Sequence, residues 1–235
     1  VFTAPPARAE IGAIFPRQRE VRAVVVAVAH DAASPEVVYA ATSAGALLAS
    51  TDGGIHWQTR RSFQQGITGL KVSPTTGGLL FVRLADGGLA RSPDGGSTAD
   101  RVRLTETTGQ GESPGLTSLG FGEVRDPASV VFFLNRVEGR TPLLVGTQSA
   151  LYRSEDNGMT WTRLKFPSST VVRTPIRSLT QSPNGTLWAT SGTILFSSMD
   201  DGNSWRALDT PIAEQIRFVL ADPARPERVF LFFTR

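Results

Sequence analysis

With 235 residues, a formal net charge of +3 and an ordinary share of apolar residues, the chain is long enough for one large all-β domain. Its longest apolar run, Ala23 to Ala29, is strand-sized and far too short to cross a membrane as a helix. Cysteine is absent and His30 and His56 are isolated imidazoles, which excludes disulfides and thiolate chemistry and leaves no expectation of a metal or other cofactor.

The amino terminus, with Thr3-Ala4-Pro5-Pro6-Ala7-Arg8, reads as a linker over residues 1–8. Such a linker follows a signal sequence or membrane anchor, and the expected location is therefore extracytoplasmic, periplasmic or secreted, with membrane association. Ile11 to Phe15, within residues 9–16, is a spare strand. A first unit then occupies residues 21–63: Val21 to Ala29, a loop through Pro35, Val37 to Thr42, Ala46 to Ser50, and a run from Trp57 onward. Runs this short, bounded by Gly, Pro, Asp and Ser, are strands joined by hairpins.

The unit repeats. Residues 67–104 carry Ile67 onward, Leu79 to Leu84 and Leu89 to Ser92. The third unit, 116–166, is about twenty residues longer than its neighbours. The excess lies in Glu106 to Pro114 and around Asn135 to Pro142, where Val130 to Leu134 and Leu143 to Thr147 are both candidates for the regular second strand. The fourth unit, 176–208, runs through Thr186 to Thr190 and Ile194 to Ser198. A fifth, 216–235, has two strands, Ile216 to Leu220 and Val229 to Phe233. A circular sheet assembly has to cover its edges. The expected fold is all-β, a single β-propeller over residues 9–235 with about five blades of four-stranded antiparallel sheets, the last closed by the amino-terminal strand.

One phrase punctuates the units: Ser50-Thr51-Asp52-Gly53-Gly54-Ile55-His56-Trp57, with further copies built on Ser154, Asp156, Gly158 and Trp161 and on Ser198, Asp200, Gly202 and Trp205. A decayed copy has Ser92, Asp94 and Gly96. Three of the chain's four tryptophans fall in one column of the repeat. In a tight turn Asp accepts backbone N–H groups, Gly permits positive φ and Ser bonds locally, while the Trp ring packs between strands. Each of these roles is structural.

The phrase resembles the Asp-box, or bacterial neuraminidase repeat, and the resemblance extends through the repeat unit over nearly the whole chain. It implies a β-propeller with the boxes between third and fourth strands, on the side away from the ligand face. The superfamily includes sialidases, xyloglucan-degrading enzymes, sortilin-type receptors and photosystem II assembly and stability factors, so it implies fold better than activity. The phrasing Pro35-Glu36-Val37-Val38-Tyr39-Ala40-Ala41-Thr42 is most similar to the assembly factors and related bacterial propellers.

A sialidase would need a Tyr nucleophile assisted by Glu, but Tyr39 aligns with Phe81 and Leu187, and Tyr152 with Leu48, Ala90 and Phe196, as packing residues. Another glycosidase would need two facing carboxylates. Outside the boxes the candidates are Asp86, Glu123, Asp126 and Glu138, and Asp126 reads as a repeat feature matching Asp31 and Asp222. No catalytic residue is assigned, and a non-catalytic role is expected. All basic residues but Lys71 and Lys165 are arginine, a residue suited to bidentate contacts with anions. Arg60 with Arg61, Arg101 with Arg103, and Arg173 with Arg177 are expected in inter-blade loops on one face, there to contact a protein partner or anionic surface. Loops without interleaved aromatics argue against nucleic acid. The expected function is an interaction scaffold, a subunit or assembly factor of a membrane-associated complex. The alternative is a carbohydrate-binding or sialidase-like glycoside-hydrolase propeller.

Overall fold

The computed structural model describes residues 23–104, 127–135, 142–166, 174–208, 210 and 213–234, and every regular element among them is a β-strand. Blade 1 consists of β1 (Val25–His30), β2 (Val38–Thr42), β3 (Ala46–Ser50) and β4 (Gln58–Ser62), hydrogen-bonded in chain order. Blade 2 repeats this with β5 (Ile67–Val72), β6 (Leu80–Leu84), β7 (Leu89–Ser92) and β8 (Asp100–Arg101). Blade 3 has β9 (Ala128–Phe133), β10 (Leu143–Thr147), β11 (Leu151–Ser154) and β12 (Thr162–Arg163). In blade 4 they are β13 (Ile176–Gln181), β14 (Leu187–Ser191), β15 (Ile194–Ser198) and β16 (Arg206–Leu208). Blade 5 pairs β17 (Ile216–Ala221) with β18 (Val229–Phe233). All pairings are antiparallel. The molecule is a β-propeller of about five blades, as the repeat predicts.

The strand that the sequence left ambiguous is settled. Ala128–Phe133 is the inner strand of blade 3 and Leu143–Thr147 its second. Both runs are apolar because both are covered on two sides, and periodicity cannot rank them. The match of Asp126 with Asp31 and Asp222 does not hold. Those two follow an inner strand directly, whereas Pro127 precedes one and lies against Gly87 of the neighbouring hairpin; the position equivalent to Asp31 is Leu134, whose amide donates to Pro142 O as that of Asp31 does to Val37 O. Tyr39 likewise aligns with Trp188 and not Leu187, since Val38 pairs with His30 as Leu187 pairs with Gln181. The linker, Ile11 to Phe15, Glu106 to Pro114, Glu123, Asp126, Glu138 and Arg173 lie outside the described residues.

Blades pack face to face through four apolar seams. Tyr39, Ala41 and Leu47 of blade 1 meet Ile67, Leu70 and Val82 of blade 2. Phe81 meets Val131 and Val145, Leu144 meets Leu179 and Leu187, and Leu195 meets Val219. Phe81 also stands edge-on to Phe133 and Trp161, with ring centroids 5.8 and 6.4 Å apart. Every inner strand carries a bulge after its first residue, which leaves Val26, Thr68, Ser129, Arg177 and Arg217 out of the pairing.

The meander fixes two faces. The loops between first and second strands share one with the turns between third and fourth strands. The other has the hairpins between second and third strands and the blade-to-blade connections. Where no described blade lies alongside, a blade's apolar face is exposed. Val28 is 60% exposed, although its register equivalents Leu70, Val131, Leu179 and Val219 are all buried. On the far side of blade 5, Phe218, Leu220, Phe230 and Phe232 are exposed, with the Phe218 and Phe232 rings stacked at 4.2 Å.

Candidate interaction site

The four Ser-x-Asp-x-Gly turns, including the decayed one, have a single geometry. In each, the Gly amide (Gly54, Gly96, Gly158, Gly202) donates to the Ser hydroxyl at 2.8 Å. That hydroxyl donates to one carboxylate oxygen of Asp52, Asp94, Asp156 or Asp200 at 2.6 to 3.0 Å. The same oxygen accepts the amide four residues after the Ser-x-Asp aspartate, at His56, Thr98, Thr160 or Ser204. The second oxygen takes that residue's side chain: His56 Nδ1 at 2.6 Å, Thr98 Oγ1 at 2.7 Å, Thr160 Oγ1 at 2.5 Å and Ser204 Oγ at 2.6 Å. The position before the Trp therefore has to carry a donor, a column whose shared chemistry is hidden by its changing identity. Two consecutive positive φ values shape each turn, 59° and 81° at Asn157 and Gly158 for example. Trp57 and Trp205 donate their indole N–H to the Gly carbonyls at 2.8 and 2.9 Å.

These carboxylates are fully engaged in holding the turns. Asp86, a candidate acid on the hairpin face, pairs with Arg101 and accepts the Gly88 amide at 2.9 Å. Burial pushes its carboxyl up, but Arg101 and Gly88 outweigh this and hold it below the ordinary range. Asp31 accepts the Gly78 amide of the next blade at 2.6 Å, and Asp222 accepts Arg228. Tyr39 and Tyr152 are buried within the seams. Burial and then the neighbouring Asp31 push the Tyr39 phenol up. Among the described residues no group of three or more His, Cys, Asp or Glu side chains is placed to hold a metal.

The arginines expected in connecting loops stand largely on strands. Arg60 and Arg61 lie in β4, Arg101 in β8 and Arg177 in β13, with Arg103 just past β8. Arg61 is engaged with blade 2, donating to the carbonyls of Ser97 and Ala99 at 3.2 and 3.5 Å, and Arg101 is engaged with Asp86. Arg60 and Arg177 are exposed and Arg103 is half-buried, without a hydrogen bond or ion pair among the described residues. Two arginines that the sequence did not single out have structural posts: Arg91 donates to Asn157 O at 2.6 Å, and Arg153 to Asp201 O at 2.8 Å and Asn203 Oδ1 at 3.1 Å. Both precede the Ser of a turn, so their column was visible, but their acceptors in the next blade were not. Arg217 on β17 and Lys71 on β5 are, like Arg177, exposed cations on inner strands without an ion pair among the described residues.

No family model and no curated protein matches the chain. Solved structures do. YCF48 from Cyanidioschyzon merolae aligns with a TM-score of 0.56 at 15% identity, over 92% of this chain and 73% of that one. YCF48 bound to D1 peptide aligns with 0.57 at 16% identity, over 92% and 62%. An ancestral GH74 enzyme aligns with 0.60 at 18% identity, over 80% of this chain and 24% of that one. The chain thus spans about a quarter of the enzyme's length. At these identities the likeness is one of fold.

Proposed function

We propose that this propeller is a non-catalytic protein-interaction scaffold of the Asp-box type, acting outside the cytoplasm as a subunit or assembly factor of a membrane-associated complex. The observation that carries the reading is how particular groups are used: the carboxylates of the turns, Asp31, Asp86 and Asp222 are engaged within the fold, whereas Arg60, Arg177 and Arg217 are presented to solvent. An arginine surface of that kind suits an acidic protein partner. The fold it shares with YCF48 supports the reading, since one such structure holds a bound D1 peptide. The test is in-cell crosslinking followed by affinity purification of the full chain. A defined set of proteins crosslinked through peptides from the hairpin face is expected; recovery of the chain alone would overturn the scaffold.

The carbohydrate reading draws on the GH74 likeness and on the stacked, exposed Phe218 and Phe232, a platform of the kind on which a sugar ring packs. Its test is the thermal shift and reducing-sugar release measured with xyloglucan and sialyllactose. The scaffold reading expects neither.

A further inference from the structure

The five inner strands, β1, β5, β9, β13 and β17, contain Lys71, Arg177 and Arg217 but no aspartate or glutamate. A propeller's inner strands border its central channel, so among the described residues these strands bring cations to that lining and no carboxylate. The bulges decide where the charge concentrates. Of the five residues they free from pairing, Val26 is apolar, and Thr68 and Ser129 spend their hydroxyls on carbonyls, Thr68 on Arg83 O at 3.2 Å and Ser129 on Ile176 O at 2.5 Å. Arg83, at the same height, is also spent, on the carbonyls of Thr68 and Ser129. Arg177 and Arg217 are what remains: exposed, and without a hydrogen bond or ion pair among the described residues.

These two belong together. Each stands one residue past a buried isoleucine, Ile176 or Ile216, on adjacent inner strands. The strands approach closely, the Val219 amide donating to Ser178 Oγ at 3.2 Å. The Ile216 amide donates to Gly192 O at 2.8 Å, which seats the hairpin bearing exposed Thr193 beside the start of β17. Cations at equivalent positions of adjacent strands, with no counter-ion among the described residues, repel, and a carboxylate placed between them would accept from both. Glu214, exposed on the approach to β17, makes no ion pair with either.

We infer that Arg177 and Arg217 form a carboxylate-binding site at the hairpin-face end of the channel, which takes an acidic segment of a protein partner. This deepens the scaffold reading and rests on it. Charge complementarity selects the occupant, and Thr193 and Gln215 beside the pair supply hydroxyl and amide groups for the backbone of an extended segment. Arg60 lies apart on an outer strand and has no share in it.

The test measures fluorescence anisotropy of fluorescein-labelled hexaglutamate and hexaglutamine peptides against the full chain. Saturable binding of the glutamate peptide is expected, weakened at least about tenfold in the Arg177→Gln/Arg217→Gln variant and progressively by added salt, with Arg60→Gln unchanged. A thermal melt checks that the double variant folds; should it fail to, the single exposed change Arg217→Gln carries the comparison. Unchanged affinity in the variant, or no saturable binding to the parent chain, overturns the site, and displacement by micromolar inorganic phosphate overturns the peptide in favour of a small anion. Crosslinking separates the two readings. Partner recovery undiminished in the double variant defeats this site and leaves the scaffold standing, whereas no partner with the parent chain defeats the scaffold itself.

Discussion

The Asp52, Asp94, Asp156 and Asp200 carboxylates are all held below their ordinary range, though not by identical balances. At Asp52 the His56 amide contributes most, followed by the Ser50 hydroxyl and the His56 ring. At Asp200 the Ser204 hydroxyl leads and its amide follows. At Asp94 and Asp156 the largest influence is burial, which pushes upward, but the hydrogen bonds from Thr98 or Thr160 and from the turn serine together exceed it. A carboxyl more acidic in the folded state than in the unfolded state stabilises the fold above the unfolded value of about 4, and that contribution fades as pH falls through the folded value. The melting temperature should therefore stay level from neutral pH to about 5 and drop below about 4, as a pH series of thermal melts would show. The serine of each turn is testable by itself. Ser154 is buried and serves the Gly158 amide and Asp156 at once, so Ser154→Ala leaves a buried donor unmet and should cost about 1–3 kcal/mol in denaturant unfolding. At the exposed donor position His56→Thr keeps the chemistry and should shift stability by less than about 0.5 kcal/mol.

At the scale of the strand, sequence and structure agree where side-chain type dictates the outcome and part where it does not. The two strands of blade 5 and the inner pairs of blades 2 and 4 were legible because short apolar runs ended at Gly, Pro or Ser. The bulge was not, for it is a backbone event at positions as unlike as Val26, Thr68, Ser129, Arg177 and Arg217. It is the same event that lifts Arg177 and Arg217 out of the ladder, and neither side chain signals it. The Arg61 and Arg101 contacts were invisible for another reason, since their partners, the Ser97 carbonyl and Asp86, become neighbours only once the blades and hairpins are assembled. Close packing yields a further prediction at this scale. A Cβ on Gly146 of β10 would sit 2.7 Å from both Ile176 Cβ and Val130 Cγ1, with no side-chain end free to swing away. Gly146→Ala should therefore wedge the seam of blades 3 and 4 and cost about 1–3 kcal/mol, read by chemical denaturation.

Across the whole molecule, repetition is the feature that made the architecture readable, and it is equally the reason function was not. A residue that recurs in every blade serves the blade, so the phrase that reveals the propeller marks the face where the chain is occupied with itself. On the scaffold reading proposed above, a partner would be met by the unrepeated residues of the other face. The seams add a property that no single blade has. Arg61 of blade 1 holds the turn of blade 2, Arg91 of blade 2 the turn of blade 3, and Arg153 of blade 3 the turn of blade 4. The glycines of those turns sit in return on the preceding blade, with a Cβ on Gly96 meeting Leu47 at 2.6 Å and one on Gly158 meeting Phe81 at 2.4 Å, whereas Gly54 of blade 1 would meet nothing nearer than its own Trp57. Among the described residues the ring consequently has a grain, blades 1, 2 and 3 each gripping the next blade and none the one before it by this device. Damage should travel with that grain. Arg153→Met is expected to quicken amide exchange at residues 200 to 205 in blade 4 while the turn of blade 2 keeps its protection, so that a fault in one blade is inherited by the blade made after it.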